Sequence, residues 1–353
     1  MSPLTILKIG LFLVPLWYFF PAPGLNVLPR QGQFVMMMAV GCGALAFTSR
    51  NWWFRAFCLY AVAWVLFAQV ATMLNVCPES IMASMEARDF LRHLLVGLVV
   101  FAVVRNSRAV IDSWANWICA AACLHMLIGI PQRFGWSPEV EFLRAIGMDV
   151  EGTLNKASTG LLENPNFFAG YLAISAPFFF RKYWAWCLPV LMVHVALSET
   201  STAVAALAAA FFVYFRGQWV LLAGIGAAGL LVLLTDASST LASPRWAYWR
   251  EMVTGFRWES LFNVAFGFGP FARWMHGWHP HSEYIKLWWD FGPGALVMAG
   301  GYLWSLRKAP PVLLAALAAA AVDCIGSFPL YLPPSAYLII VILALIEREE
   351  VTA

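Results

Sequence analysis

The chain has 353 residues, of which 61% are hydrophobic and only 12% charged, and its formal net charge is +3. Soluble proteins average about 25% charged residues, so this composition excludes an ordinary soluble protein and predicts an integral membrane protein. The small net charge gives no indication of nucleic-acid binding. The seven cysteines lie mostly in apolar runs and lack the CxxC spacing of metal sites.

Apolar runs of membrane-spanning length recur along the whole chain. A spanning helix needs about 20 mostly apolar residues, and the runs predict an all-α polytopic membrane protein with about twelve transmembrane helices in one membrane domain, residues 1–353. The predicted spans are 5–21, 33–48, 54–75, 90–104, 109–131, 165–180, 184–198, 201–215, 219–234, 285–304, 311–327 and 333–346. The first is interpreted as a retained anchor, because no small-residue cleavage site follows it.

Basic residues mark one side of the predicted membrane domain. Three pairs flank very short connections: Arg50 and Arg55, Arg181 and Lys182, and Arg307 and Lys308. Lys and Arg in short loops stay cytoplasmic, so this side is predicted to face the cytoplasm together with both chain termini. Two longer connections, residues 132–164 and 235–284, are predicted on the opposite side, and long ordered loops are usually functional.

Polar residues open the sixth and eighth predicted spans. The Asn164-Pro165-Asn166 sequence is a turn and cap signature, and it serves either helix structure alone or the wall of a cavity. Glu199 and Ser201 belong to a polar run, "LSETST", at the mouth of the eighth span. Such groups are costly against lipid, so we expect them to face a cavity.

The second long loop begins with a basic, aromatic helix, "ASPRWAYWREMVTGF". Ser243 suits the cap and Pro244 the first helical position. Arg245 and Trp249 are four apart and share a face, with Arg250 beside them. Either the helix rests at the lipid headgroups, or its arginines bind an anion such as phosphate. The "GFG" sequence that follows permits a tight turn but does not by itself indicate a nucleotide site.

The loop ends at "HPHSEYIKLWWDFG", residues 279–292. One interpretation of His279, His281 and Glu283 is a zinc site, which His276 would complete as a further ligand. The alternatives are a histidine at the membrane surface and a general base, and the general base is favoured because imidazole titrates near neutral pH. Glu283 either orients the His281 imidazole or marks the water boundary. Trp288 and Trp289 are predicted to have a packing role and no chemical role.

Three segments, taken together and in order, resemble the superfamily of O-antigen ligases and polymerases, which are bacterial inner-membrane glycosyltransferases. They are "GLLENPNFFAGYL" at 160–172, the series Arg245, Trp249 and Gly267/Gly269, and "HSEYIKLWWDFG" at 281–292. The similarity covers about residues 150–300, and the first five predicted spans resemble nothing beyond their hydrophobicity.

The resemblance implies a GT-C-like fold with its active site facing the periplasm and short helices in the loop before the tenth span. It implies metal-independent transfer, without a cofactor, of a glycan from an undecaprenyl-diphosphate carrier to a hydroxyl of another glycan or of lipid A core. His281 corresponds to the essential histidine and Arg245 to the arginine on the donor diphosphate. An in-line displacement inverts the anomeric configuration.

The candidate site follows from these motifs. The predicted catalytic residues are His281 and Glu283. The predicted substrate-binding residues are Arg245, Trp249, Arg250, Arg273, Asn164, Asn166 and Ser201. The family often has an arginine where this chain has Thr202, and Lys156, Arg250, Arg257 or Arg273 could replace it.

Three other functions remain open. A protein O-oligosaccharyltransferase shares the architecture, although the chain is short for one. A transporter or flippase of lipid-linked saccharides suits about twelve spans, but it should place charges near the bilayer midplane. The sixth to ninth spans carry almost none there, with Asp112, Asp290 and Asp323 as partial exceptions elsewhere. The third is a non-catalytic lipid-binding protein.

Overall fold

The structure is a computed structural model. It describes residues 51–60, 97–107, 111–147, 158–215, 244–258 and 282–352, apart from positions 57, 98, 163, 182, 199, 257 and 328, together with 261, 264 and 267. These residues form helices, turns and short connections and no strand. The all-α prediction is therefore confirmed for this part of the chain, whereas the predicted spans 5–21, 33–48 and 219–234 lie outside it.

Ten α-helices follow residue 107 in the described part of the chain. They are α1 (Ile111–Arg133), α2 (Pro138–Ala145), α3 (Pro165–Ser175), α4 (Leu188–Leu197), α5 (Ser201–Tyr214), α6 (Pro244–Thr254), α7 (Glu283–Phe291), α8 (Pro293–Ser305), α9 (Pro311–Gly326) and α10 (Pro333–Thr352). Short 3-10 helices cover Ala176–Phe180, Ala185–Cys187, Leu306–Lys308 and Pro329–Tyr331. Many of the α-helices begin with a proline, whose fixed φ suits the first helical position, where no N–H is needed.

The predicted tenth span, 285–304, is two helices and not one. Gly292 separates α7 from α8 with φ 84° and ψ 163°, and Pro293 then begins α8. A glycine tolerates this left-handed φ, and a proline cannot donate the N–H that would continue α7. The hydrophobic run is continuous in sequence, so the hydropathy pattern does not reveal the break between α7 and α8.

One described helix, α1, is long and apolar enough to cross a membrane. Three shorter apolar helical stretches of the described residues are Ala185–Leu197, Ser201–Tyr214 and Pro311–Gly326. The described helices are therefore compatible with a membrane protein.

The chain divides into two compact units. The first comprises Met1–Pro21, Ser107–Asp236 and Pro310–Ile342, and its described core is α3, α5 and α9. Buried alanines line the contact between α5 and α9: Ala203, Ala206 and Ala210 on one helix, and Ala315, Ala316, Ala319 and Ala320 on the other. Small side chains let helix backbones approach closely, which supplies packing energy where the surroundings are apolar.

Contacts at both ends fix the directions of these three helices. Thr202 at the start of α5 lies against Gly326 at the end of α9, so the two helices are antiparallel. Phe180, which follows α3, packs on Phe211 near the end of α5 with ring centroids 4.8 Å apart. The amino ends of α3 and α5 therefore lie at the same end of the unit.

The second unit comprises Ala22–Asn106, Ala237–Ala309 and Leu343–Ala353. Its described core joins α6 to α7 through Met252, Phe256, Trp288 and Trp289, all buried. The Phe256 and Trp288 ring centroids are 5.2 Å apart. The packing role predicted for the two tryptophans is confirmed, because aromatic rings at this spacing contribute both buried area and favourable ring contacts.

Candidate functional site

The amino end of α3 carries the Asn164-Pro165-Asn166 motif. The Asn164 side chain accepts a hydrogen bond from the Asn166 backbone N–H at 2.8 Å, and Pro165 occupies the first helical position. This is the cap predicted from the sequence, and it satisfies one N–H that a helix end leaves without an intrahelical partner.

The amino end of α5 meets the same motif. Thr200 Oγ1 donates to Asn166 Oδ1 at 2.6 Å, and the half-buried Ser201 is the first residue of α5. The structure therefore brings together three predicted substrate-binding residues, Asn164, Asn166 and Ser201. Two helix amino ends, each with a partial positive charge, lie side by side here, which is electrostatically favourable for an anion.

Buried polar side chains, whose role the sequence did not indicate, hold the turn that leads into α3. Gln132 of α1 accepts from the N–H groups of Thr159 and Gly160, both at 2.8 Å, and its Nε2 donates to the Gly160 carbonyl at 2.7 Å. The side chain of one glutamine thus supplies hydrogen bonds that backbone groups of this turn would otherwise lack.

Two histidines complete this polar clamp, defined as Gln132, His125 and His194. The Leu161 N–H donates to His125 Nδ1 at 3.2 Å, and Ser158 Oγ is hydrogen-bonded to His194 Nδ1 at 3.0 Å. The partners are 36 residues apart in sequence, so no local pattern reveals them. The only available signal was the presence of Gln and His inside or beside predicted spans, where polar residues are costly.

We expect Gln132→Ala to lower the free energy of unfolding by about 2–4 kcal/mol, because it strands two backbone N–H groups in a buried turn. The matched control is Asn116→Ala, also on α1, which removes one exposed hydrogen bond from Trp184 Nε1. Thermal unfolding of the two purified variants compares them. An equal loss in both would contradict a special role for the clamp.

Two of the three acidic residues in or near predicted spans, Asp112 and Asp323, have different surroundings. Asp112 is exposed and forms an ion pair with Arg181. Asp323 of α9 is buried, its carboxyl lies over Gly170 of α3, and Oδ1 has no hydrogen-bond partner among the described residues. Any side chain at position 170 would meet this carboxyl, so the glycine makes room for it.

In the second unit, α6 carries Arg245, Trp249 and Arg250. Arg245 lies in the first turn but its side chain is outside the described set, Trp249 is half-buried and Arg250 is exposed. Tyr248 packs beside the aromatic core, and burial, with Glu251 adding to it, raises the pKa of its hydroxyl to about 12. The Tyr248 hydroxyl is therefore protonated at neutral pH.

Gly267 of the "GFG" sequence lies against the end of α7. It has φ +67°, and a Cβ at this position would be 2.5 Å from the Asp290 carbonyl and 2.6 Å from the Gly292 nitrogen. Only glycine fits such a close backbone approach at this φ. The sequence alone did not indicate a function for this motif. In the structure, Gly267 contacts the end of α7, the helix that follows His281 in the sequence.

Three charged residues share one face of α7. Glu283 and Asp290 are fully buried and Lys286 nearly so, at spacings of three and four residues. The interpretation of Glu283 as a marker of the water boundary is therefore wrong, because its side chain is packed inside the unit. Its buried position leaves the alternative, a residue that orients its neighbour, as the prediction.

Several predicted or alternative site residues lie outside the described residues. They are Lys156, Arg257, Gly269, Arg273, His276, His279 and His281. Within the part of the chain that the structure describes, no three His, Cys, Asp or Glu side chains come together as a metal site.

The predicted site residues thus fall in two groups, with Asn164, Asn166 and Ser201 in the first unit and α6, Gly267 and α7 in the second. No protein-family model, no curated protein and no solved structure matches the chain.

Proposed function

We propose that the protein is a glycosyltransferase with about twelve membrane spans that acts at the periplasmic face of a bacterial inner membrane. It moves a glycan from an undecaprenyl-diphosphate carrier to a hydroxyl of a second glycan or of lipid A core, as an O-antigen ligase or polymerase does. No metal or cofactor takes part in this proposal.

The observation that carries this proposal is the packing together, in the second unit, of elements from two of the three resembling segments. The helix that contains Arg245, the glycine Gly267 and the helix that follows His281 pack together through the aromatic core and the Gly267–Asp290 approach. Arg245 and Asp290 are 45 positions apart in the sequence, so this packing brings distant elements together. Their convergence supports a common role in one reaction.

The proposed chemistry assigns one task to each group. His281 accepts the proton of the acceptor hydroxyl while its oxygen attacks the anomeric carbon. The bond from that carbon to the diphosphate breaks, and undecaprenyl diphosphate leaves with the electron pair. Arg245 stabilises the charge of the leaving group, which a fixed guanidinium does well in a site shielded from water. Glu283, buried two residues after the base, orients the imidazole.

The remaining predicted residues bind substrate in this proposal. Asn164, Asn166 and Ser201 lie at the paired amino ends of α3 and α5, where the helix dipoles favour phosphate. Trp249, Arg250 and Arg273 contact the donor from the loop before α7. The exposed side chain of Arg250 is available for such a contact.

The test is a reconstituted assay with a defined undecaprenyl-diphosphate oligosaccharide and candidate glycan or lipid A core acceptors. We expect a new glycosidic bond with inverted anomeric configuration, read by NMR of the isolated product. Retention of configuration would overturn the single-displacement mechanism, and failure to form any product with either acceptor class would count against transfer.

A transporter of lipid-linked saccharides is the second candidate. The Asp323 carboxyl, buried in the last turn of α9, is the observation that favours it, because acidic residues buried in membrane proteins often serve transport. Reconstitution of the protein in liposomes that contain the donor distinguishes the two functions, because a transporter exposes the donor to an outside lectin without forming a product.

A further inference from the structure

An exposed apolar stripe runs along α1 towards its carboxyl end. Leu127 and Phe134 are 66% and 84% exposed, and Ile130 between them is also exposed. Their spacings of three and four residues place them on one face of the helical path. The residues around them, such as Met126 and Gln132, are buried in the unit. On α1, the one described helix that is both long and apolar enough to cross a membrane, this stripe is the side that would contact lipid.

The stripe continues past the end of α1 into a short amphipathic segment. Gly135 turns the chain with φ 82°, and α2 follows at Pro138. Trp136, Phe142 and Ile146 are each more than half exposed. Phe142 lies in α2, and Ile146 follows directly after the helix, four residues later, so the two lie on one side of the segment.

Two charged residues of α2, Glu141 and Arg144, lie on a different side from Phe142. Glu141 and Arg144 form an ion pair at 3.0 Å, and both side chains are about half exposed. Arg133 occupies the last turn of α1, directly before the segment. Aromatic and apolar groups on one side, with arginines and a carboxylate on another, are typical of helices that lie in the lipid headgroup region.

We propose that residues 134–147 form an interfacial segment that lies in the headgroup region of the bilayer, with Phe134, Trp136, Phe142 and Ile146 inserted towards the acyl chains. This rests on the membrane placement of α1 in the proposed function. The apolar stripe of α1 and the apolar side of the segment then form one continuous lipid contact.

A lipid surface fits these observations better than a second protein chain. The α2 helix has 8 residues and so is about 12 Å long. One face of such a helix offers far less than the roughly 800 Å² per partner that a stable protein interface buries. A bilayer needs no such minimum, because the segment is already tethered by α1.

The test replaces Phe142 with the photo-crosslinking residue p-benzoylphenylalanine in the full chain, reconstituted in nanodiscs of phosphatidylethanolamine and phosphatidylglycerol. Mass spectrometry then measures lipid adducts. We expect several-fold more lipid adduct at position 142 than at the matched control position 141, whose side chain lies on the charged side. The same replacement of Trp136 gives a second measurement if the first variant does not fold.

A third variant, with the crosslinker at Leu127, separates this proposal from the membrane placement itself. Adducts at 127 with none at 142 and 136 would overturn the interfacial segment and leave α1 in the membrane. No adduct at any of these positions would overturn both. Crosslinked dimers at 142 and 136 in place of lipid adducts would also overturn it, since a second copy would then cover the segment.

Discussion

Replacing His281 with alanine is expected to lower the rate of glycan transfer by about 10²–10⁴-fold, which is the usual contribution of a positioned general base. The acceptor hydroxyl is a weak nucleophile until its proton is removed, and imidazole accepts a proton near neutral pH. The diphosphate is already a good leaving group, so the lower rate of transfer should result from poorer activation of the acceptor hydroxyl. The measurement is initial transfer rate in the reconstituted assay.

His279→Ala is the matched control for this variant. His279 lies two residues earlier, before Pro280, and is interpreted as surface or support. We expect it to keep most of the activity, and both variants to unfold at the wild-type temperature. A His281→Ala protein with full activity would remove the general base from the mechanism. An equally large loss in His279→Ala would reopen the interpretation of the two histidines as a metal pair.

Gly267→Ala is expected to destabilise the second unit by about 2–4 kcal/mol. A residue with a side chain costs roughly 1–2 kcal/mol at this left-handed φ. The added Cβ would also lie 2.5 Å from the backbone of Asp290, and a backbone neighbour moves less readily than the end of a side chain. Relief of that contact requires the end of α7 to shift, so we expect transfer activity to fall with stability. Thermal unfolding and the transfer assay measure the two effects.

Gly300→Ala provides the control in the same unit. Gly300 lies inside α8, and a Cβ there meets nothing within 4 Å. Alanine in a helix interior is favoured over glycine by about 0.5–1 kcal/mol, so this variant should be unchanged or slightly more stable. If both glycine variants were equally stable, the close approach of Gly267 to α7 would not matter to the fold.

Local signals in the sequence predicted much of the described secondary structure. Pro165, Pro244 and Pro311 begin the helices at the places where prolines are tolerated, and Asn164 caps α3 as its side-chain chemistry indicates. The alanine-rich stretches near 203 and 315 form the most extensive contact between described helices in the first unit. Each of these features depends on residues within a few positions of one another, so sequence alone suffices.

The pairing of distant residues was decided only by tertiary structure. The Gln132 clamp joins positions about 28 residues apart, and Gly267 meets Asp290 across a loop. Nor did hydropathy reveal the break at Gly292, since a local dihedral angle leaves the apolar run intact.

The sequence by itself determined the membrane-type composition, the helical class and the helix starts. The candidate base His281 and the candidate diphosphate-binding residue Arg245 were identified from the sequence motifs. Only the tertiary structure decided that Glu283 is buried and that Asn166 and Thr200 join two helix ends. The reason is that composition and caps act over one or two turns, whereas burial depends on which surface the rest of the chain brings to each side chain.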